Sequence, residues 1–282
     1  MEKRTNSVVK CVDVSSYQGN INWSFVKSAG VNHAILKVIR KDLNPDTSFE
    51  RNWNGCNSAG VAVDGVYNYS YATTVTKAKT DAQKVLSILN GRKCTIWLDV
   101  EDKCQQGLGV LLKDIINTYR DVIVGAGYDF GIYTGMSFYN SYIKPYATQI
   151  KCDNFWIARY YNSANKMAAS INPNEQYNPK SSIGRDIFAW QYTSSGQVSG
   201  INGNVDLSVI YGDHVIAAKG KVSNCTKLNM RKEPIVEKNN IVNVLDLNDE
   251  VYLLKIADNG WYKVKTKDNL VGYVSNKYIM IL

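Results

Sequence analysis

Asp99 and Glu101 close the apolar run Ile96-Trp97-Leu98-Asp99-Val100-Glu101, and their types and spacing bear more directly on chemistry than anything else in the chain. Successive side chains of a strand point to opposite faces. Ile96, Leu98 and Val100 then form one apolar face, and Trp97, Asp99 and Glu101 form the other. Residues two apart on a strand have Cα atoms roughly 6.5 Å apart, so both carboxyl groups can converge on one bound group. An acid and a carboxylate so placed are what cleavage of a glycosidic bond requires. Separations of roughly 5 to 5.5 Å between the carboxyl groups belong to enzymes that retain configuration and roughly 6.5 to 9.5 Å to those that invert it, and strand spacing falls between the two. An isolated Asp-x-Glu is ordinarily the acidic end of a strand in solvent. Closing an apolar run instead of a polar one sets this pair apart.

Other chemistries have little support. The chain has two histidines, His33 and His214. A serine or cysteine hydrolase needs a histidine base, and zinc hydrolases generally need two or more histidine ligands. His33 opens an apolar stretch and His214 lies between the two halves of the chain, so both read as structural. Cys11, Cys56, Cys94, Cys104, Cys152 and Cys225 lie far apart with no C-x-x-C among them. They read as mostly reduced core residues, not as zinc ligands or a disulfide framework. No metal and no cofactor is called for. The net charge of +8 is spread over both halves, with 22 basic and 17 acidic residues up to position 210 and 11 and 8 beyond it. No Lys/Arg run of five or more occurs, so nucleic acid is not an expected partner. A mildly basic surface suits an anionic polymer such as a bacterial wall. No stretch approaches the roughly 20 apolar residues that cross a bilayer, so membrane insertion is not expected. The polar start Met1-Glu2-Lys3-Arg4-Thr5-Asn6-Ser7 leads into a strand without an apolar h-region, and no signal peptide is expected there.

The elements that must position the pair follow from periodicity. With 282 residues the chain can form one large core and a small second domain. The first part reads as strand-helix units: strands at Val8 to Val14, Ala34 to Ile39 and Val61 to Tyr69, and helices at Asn22 to Ala29, after Ser48 as cap, at Thr76 to Asn90 and at Val110 to Val124. The helix after Ser48 faces the core with Phe49, Trp53 and Cys56, and the next one with Ala78, Ala82, Val85, Leu86 and Leu89. Gly30, Gly60, Gly91 and Gly127 end the units at intervals of 30, 31 and 36 residues, the length of a strand plus a helix. Alternation of this kind predicts a parallel sheet, and this many units predict an α/β fold of the irregular, TIM-like β/α barrel type. An open doubly wound sheet is the alternative, without the G-x-G-x-x-G loop that would mark it. Short strands follow at Phe130 to Thr134, Asn154 to Tyr160, Ile187 to Tyr192 and Asn204 to Leu207.

Barrel enzymes carry their sites at the C-terminal ends of the strands. Collected there are Asp13, Tyr67, Asn68, Tyr69, Asp99, Glu101, Tyr133, Arg159, Tyr160, Trp190, Gln191, Tyr192 and Asp206. Four carboxylates in a ring of tyrosine and tryptophan suit a sugar, since flat rings stack on pyranose faces while acids serve the acetal.

Asp13-Val14-Ser15-Ser16-Tyr17-Gln18-Gly19, Gly65-Val66-Tyr67-Asn68-Tyr69, Trp97-Leu98-Asp99-Val100-Glu101, Trp156-Ile157-Ala158-Arg159-Tyr160, Trp190-Gln191-Tyr192 and Val205-Asp206 resemble, in order and spacing, the motifs of glycoside hydrolase family 25. These are the Chalaropsis-type lysozymes, or N-acetylmuramidases, common as phage endolysins and autolysins. The resemblance covers roughly residues 8 to 210. It implies cleavage of the β-1,4 bond between N-acetylmuramic acid and N-acetylglucosamine, with Glu101 as general acid, Asp99 as its partner and Asp13 and Asp206 as supporting carboxylates. Tyr67, Tyr69, Tyr133, Arg159, Tyr160, Trp190 and Gln191 would bind the substrate. Asn68 departs from the pattern, since many members have histidine there. The implied partner is the glycan strand of peptidoglycan, and the implied setting is a bacterial cytoplasm from which the protein is released to the wall. An Asp-x-Glu pair ending a barrel strand is also similar to that of hydrolases in which the 2-acetamido oxygen of the substrate attacks the anomeric carbon. A wall-binding protein that does not cut, and a hydrolase of another N-acetylated glycan such as chitin, are the competing readings.

Residues 222 to 282 read as a separate all-β unit, joined by a short, moderately flexible link over 211 to 221. Val251 to Lys255, Trp261 to Lys265 and Leu270 to Val274 are strands between turns at Asp258-Asn259-Gly260 and Lys267-Asp268-Asn269. Leu228-Asn229-Met230-Arg231, Gly260-Trp261-Tyr262-Lys263-Val264 and Gly272-Tyr273-Val274-Ser275 resemble the bacterial SH3-like cell-wall-binding domain, which implies a small SH3-like barrel and a wall ligand.

Overall fold

A computed structural model describes residues 9–161, 166–211, 218–256, 260–268 and 270–282. Met1 to Val8, His214 and most of the expected link, and the turn residues Asp258, Asn259 and Asn269 lie outside the described residues. The chain divides into two compact units, one ending at Tyr211 and one beginning after it.

The first unit is built on strands β1 (Val9–Val14), β2 (His33–Lys37), β3 (Ala62–Tyr69), β4 (Thr95–Asp99), β5 (Phe130–Gly135), β6 (Phe155–Ala158), the two-residue β7 (Met167–Ala168), β8 (Ala189–Gln197) and β9 (Val205–Ile210). β1 to β6 follow one another side by side in parallel, β6 pairs with β8, β8 with β9 and β9 with β1, which closes an eight-stranded barrel; β7 pairs outside it with the far end of β8. One expectation is corrected: β9 runs antiparallel to both neighbours, so the sheet is not uniformly parallel. Its direction follows from the short return from β8, too short for the helical crossover that a parallel strand needs.

Helices α1 (Trp23–Ser28), α2 (Phe49–Ala59), α3 (Val75–Leu89) and α4 (Val110–Gly125) cover the first barrel strands. Their inner faces are the expected apolar stripes: Ala78, Ala82, Val85 and Leu89 of α3 and Leu112, Ile115, Ile116 and Ile123 of α4 are buried against Ile96, Leu98, Ile132 and their neighbours. Ser48 does occupy the N-cap position of α2 but makes no capping bond with its side chain. Its hydroxyl instead accepts from Arg51 Nη2 at 2.7 Å, and its own N–H is held by Asp46 Oδ1 at 2.9 Å.

Inside the barrel, Trp97 fills the space that two glycines leave. A Cβ on Gly131 would lie 2.2 Å from Trp97 Cζ3, and one on Gly65 2.7 Å from Trp97 Nε1. Trp97 meets Trp156 edge-on at 5.8 Å and Phe188 at 4.8 Å, and the Trp156 indole donates to Ser208 Oγ at 3.0 Å. Both indoles are fully buried and make the floor of whatever lies above them. All six cysteines are free thiols. Cys11, Cys56 and Cys152 are buried as expected, whereas Cys104 is exposed.

The second unit comprises β10 (Ala218–Val222), β11 (Lys227–Arg231), β12 (Ile241–Asp246), β13 (Glu250–Ile256), β14 (Trp261–Thr266), β15 (Val271–Ser275) and β16 (Ile279–Ile281) in one antiparallel sheet ordered β12-β11-β15-β14-β13-β10-β16. Val222, Leu228, Met230, Leu245, Val251, Leu253, Val264, Val274 and Ile279 form its core. The stretch expected to be a link ends earlier than 221, because Ala218 to Val222 pairs with both β13 and β16 and belongs to the sheet.

Candidate active site

The acidic pair keeps to one face because its backbone stays extended past the formal end of β4. Ser70 N–H donates to Asp99 O at 2.9 Å, Val100 N–H to Tyr133 O at 2.9 Å, and Thr134 Oγ1 to Val100 O at 2.7 Å. The parity of β4 thus carries through to Glu101. Val100, Leu98 and Ile96 go to the helix-covered core, and Trp97 and Asp99 to the barrel interior.

The other carboxylates arrive by register. Asp13, near the end of β1, pairs with Asp206 near the start of β9. Asp206 therefore does not lie at a strand C-terminus like the others; the antiparallel direction of β9 brings its opposite end to the same mouth. Asp99 stands between Tyr69 of β3 and Tyr133 of β5.

Burial and mutual repulsion set the electrostatics of this mouth. Asp13 is held well above the usual carboxylate range by burial and by Asp206, while the Gln191 amide opposes the rise. Burial also raises Asp99 well above its ordinary value, with Glu101 and Asp13 adding to it and the Lys37 ammonium opposing. Glu101 is raised by burial, against which the Gly135 N–H donates to its carboxylate. Asp206 is pushed up from 3.8 to about 6 by burial and by Glu101. Asp99 Oδ1 is buried and has no hydrogen-bond partner among the described residues, a costly state for an acceptor unless something binds it.

Of the residues expected to bind substrate, five stand around these acids. Tyr133 and Tyr160 both donate to Gln191 Oε1, at 2.7 and 2.6 Å, and Gln191 Nε2 donates to both oxygens of Asp13 at 3.0 Å. Tyr67 is pushed far up by burial and then by Asp13 and Asp99. The Tyr69 hydroxyl donates to Asp102 Oδ2 at 3.1 Å. Tyr160 is 42% exposed and lies open to a ligand.

Trp190 and Arg159 are not with them. Gln191 faces the interior, so Trp190 one residue earlier faces the outer core, where it is fully buried beside Tyr161 and donates to Arg159 O at 2.9 Å. Arg159 likewise has outward parity, and its guanidinium donates to Tyr177 O at 2.9 Å. Grouping strand-end residues without regard to alternation put both on the wrong face. Asn68 also points outward, 4% exposed, and donates to the Tyr119 hydroxyl of α4 at 3.4 Å. The departure at Asn68 therefore falls at a sheet-to-helix contact. One residue was missed: Lys37, whose parity on β2 is that of Ile35 and which pairs in register with Tyr67. A charge closing an apolar strand, the cue that singled out Asp99, was present there too. Among the described residues no group of three or more His, Cys, Asp or Glu side chains is arranged to hold a metal ion, and no helix is long and apolar enough to cross a membrane.

The chain is similar to an autolytic lysozyme of Clostridium acetobutylicum, 24% identical over 76% of this chain and 60% of the relative. It is also similar to lysozyme M1 of Streptomyces globisporus, 27% identical over 73% of this chain and 69% of the relative. Among solved structures, the bacterial lysozyme from Streptomyces coelicolor superimposes with a TM-score of 0.55 at 25% identity, covering 74% of this chain and 94% of that one. The chain thus spans well under the full length of the first of these relatives. Residues 226–280 match the bacterial SH3 domain. Residues 12–201, more than half of the chain and all but the last of the four clustered carboxylates, match the profile of glycosyl hydrolases family 25, and the chain belongs to that family.

Proposed function

We propose that the barrel is an N-acetylmuramidase that hydrolyses the β-1,4 bond between N-acetylmuramic acid and N-acetylglucosamine in peptidoglycan, and that the C-terminal unit holds it on the wall. The observation that carries this reading is the convergence of Asp13, Asp99, Glu101 and Asp206 on one barrel mouth, with burial raising all four. A general acid must still hold its proton at the working pH. Burial shifts Glu101 in the direction that need requires, and Glu101 would protonate the leaving oxygen as the bond from C1 breaks.

Asp99 does not need to attack the sugar. Its unpartnered buried oxygen is a ready acceptor for the N–H of a 2-acetamido group. With the N–H so held, the acetamido oxygen can close on C1 while Asp99, in its ionised form, stabilises the positive ring that forms; Lys37 favours that form against the burial, Glu101 and Asp13 that oppose it. Glu101, now a carboxylate, then takes a proton from the water that opens the ring. This route restricts the enzyme to N-acylated sugars and retains configuration. Asp206, pushed up to about 6, would add to the negative field that favours the developing cation above that pH, and Asp13 would hold Gln191 and its tyrosines in place beside it. A phage endolysin or a host autolysin, made in a bacterial cytoplasm and released to the wall, is the setting this activity fits.

Reducing ends released from purified peptidoglycan test the proposal. New muramic acid ends are expected, and Glu101→Gln should lower their release by about 10² to 10⁴ with folding intact. Release of N-acetylglucosamine ends, or unimpaired release by Glu101→Gln, would refute it.

A further inference from the structure

Two cations stand beside the mouth at the end of β2. Lys37 and Lys41, on β2 and the turn after it, stand over Tyr67 and Tyr71, on β3 and its continuation, with Nζ 5.9 Å and 4.4 Å from the respective ring centroids. Lys37 is half-buried and its charge acts on Asp99. Lys41 is exposed. From Lys41 an unbroken chain of contacts leads to the chemistry: Tyr71 packs on Tyr69 at 4.9 Å, and Tyr69 donates to Asp102, the neighbour of Glu101.

Both sides of this contact are held in shape. The turn of Lys41 is closed by the Ile39–Pro45 bridge, by Arg40 N–H on Asn44 O at 2.9 Å and by Leu43 N–H on Arg40 O at 3.0 Å. Leu43 takes a φ of 64°, a region a leucine rarely enters, while its side chain packs on the core. Strained residues of this kind persist where the surroundings over-determine them, and they gather at ligand sites. On the Tyr71 side, the fully buried Gln105 donates to Ser70 Oγ at 3.0 Å and to Ala72 O at 3.1 Å, fixing the residues on either side of the ring.

An ammonium laid on a ring is dry on one side and open on the other, and so is placed to receive an anion. The rest of the mouth carries Asp13, Asp99, Glu101 and Asp206, while Asp102, an acid that the Cys104 N–H and the Lys41 charge help to hold below the usual carboxylate range, lies on the Lys41 side. We infer that Lys41 is a subsite for a carboxylate on the lactyl side of the muramic residue, and that this contact orients the glycan with its anionic edge over β2 and β3. The inference rests on the muramidase reading.

The test uses the full chain and soluble glycan in four forms: stripped of peptide, with the lactyl acid free or converted to its amide, and peptide-bearing, with carboxyls free or amidated. In at least one pair, kcat/KM should favour the acid by about two- to fivefold, the range of an exposed ion pair. The pair that shows it identifies the lactyl or the peptide carboxylate as the source. Lys41→Met should bring that ratio to about one, and Lys41→Arg should restore it, with thermal midpoints of both variants showing an intact fold. Cleavage of all four forms at equal rates, or a ratio unchanged in Lys41→Met, overturns the subsite and leaves the muramidase standing. Failure of the folded wild type to cut any form overturns the muramidase and the subsite with it.

Discussion

Replacing Asp206 by Asn should stabilise the barrel above about pH 6 and leave it nearly unchanged at pH 4. Folding raises this carboxyl from 3.8 to about 6 through burial and the nearby Glu101. A group raised in the folded state adds stability fully below its unfolded value and loses it as the pH climbs through the folded one. The wild type is therefore penalised progressively between pH 4 and 6, and a neutral amide escapes the penalty. One pKa unit is about 1.4 kcal/mol, which sets a ceiling of about 3 kcal/mol on the effect. Asp206 is half-buried and its charge acts in turn on Asp13, so screening and coupling reduce the expected gain to about 1 to 2 kcal/mol. For a unit of this size that is a rise of roughly 2 to 8 °C in the unfolding midpoint. Differential scanning calorimetry of the two proteins at pH 4 and pH 8 measures it. A lower midpoint for the variant at pH 8, or the same offset at both pH values, would show that the fold carries no penalty from burying the Asp206 charge beside Glu101.

Gly131→Ala should destabilise the barrel by about 1 to 3 kcal/mol in urea titrations, because its Cβ would meet Trp97 Cζ3 at 2.2 Å; a neutral result would mean that the indole can move aside. Proton NMR of the products should show retained configuration, with no sugar trapped on Asp99 and inhibition by a thiazoline analogue of the cyclised acetamido sugar. Inversion or a glycosyl-Asp99 adduct would displace the neighbouring-group route without touching the choice of bond. In a sedimentation assay, residues 212 to 282 alone should bind intact cells, and residues 1 to 211 should cut soluble glycan but lyse cells more slowly, since linked modules raise each other's local concentration on a polymer. Full lytic speed from the first piece alone would argue against a wall-binding role for the second.

Much of the site is legible in the sequence, because the signals are local. Alternation along Ile96 to Glu101 placed both acids on one face, and the glycine spacing marked out units of strand and helix. Those features depend on neighbours in the chain, whose geometry the peptide backbone imposes. The antiparallel run of β9, which brings Asp206 beside Asp13, has no such local signature. It depends on which strands meet when the barrel closes. The same holds for Gln191, whose four hydrogen bonds unite residues from four strands or strand ends, and for the outward turn of Trp190 and Arg159. Residue types and period alone determined which side chains were able to do acid chemistry here. Closure of the barrel decided which of them share one mouth and how far burial lifts their protons, since charge repulsion and desolvation act through space and not along the chain.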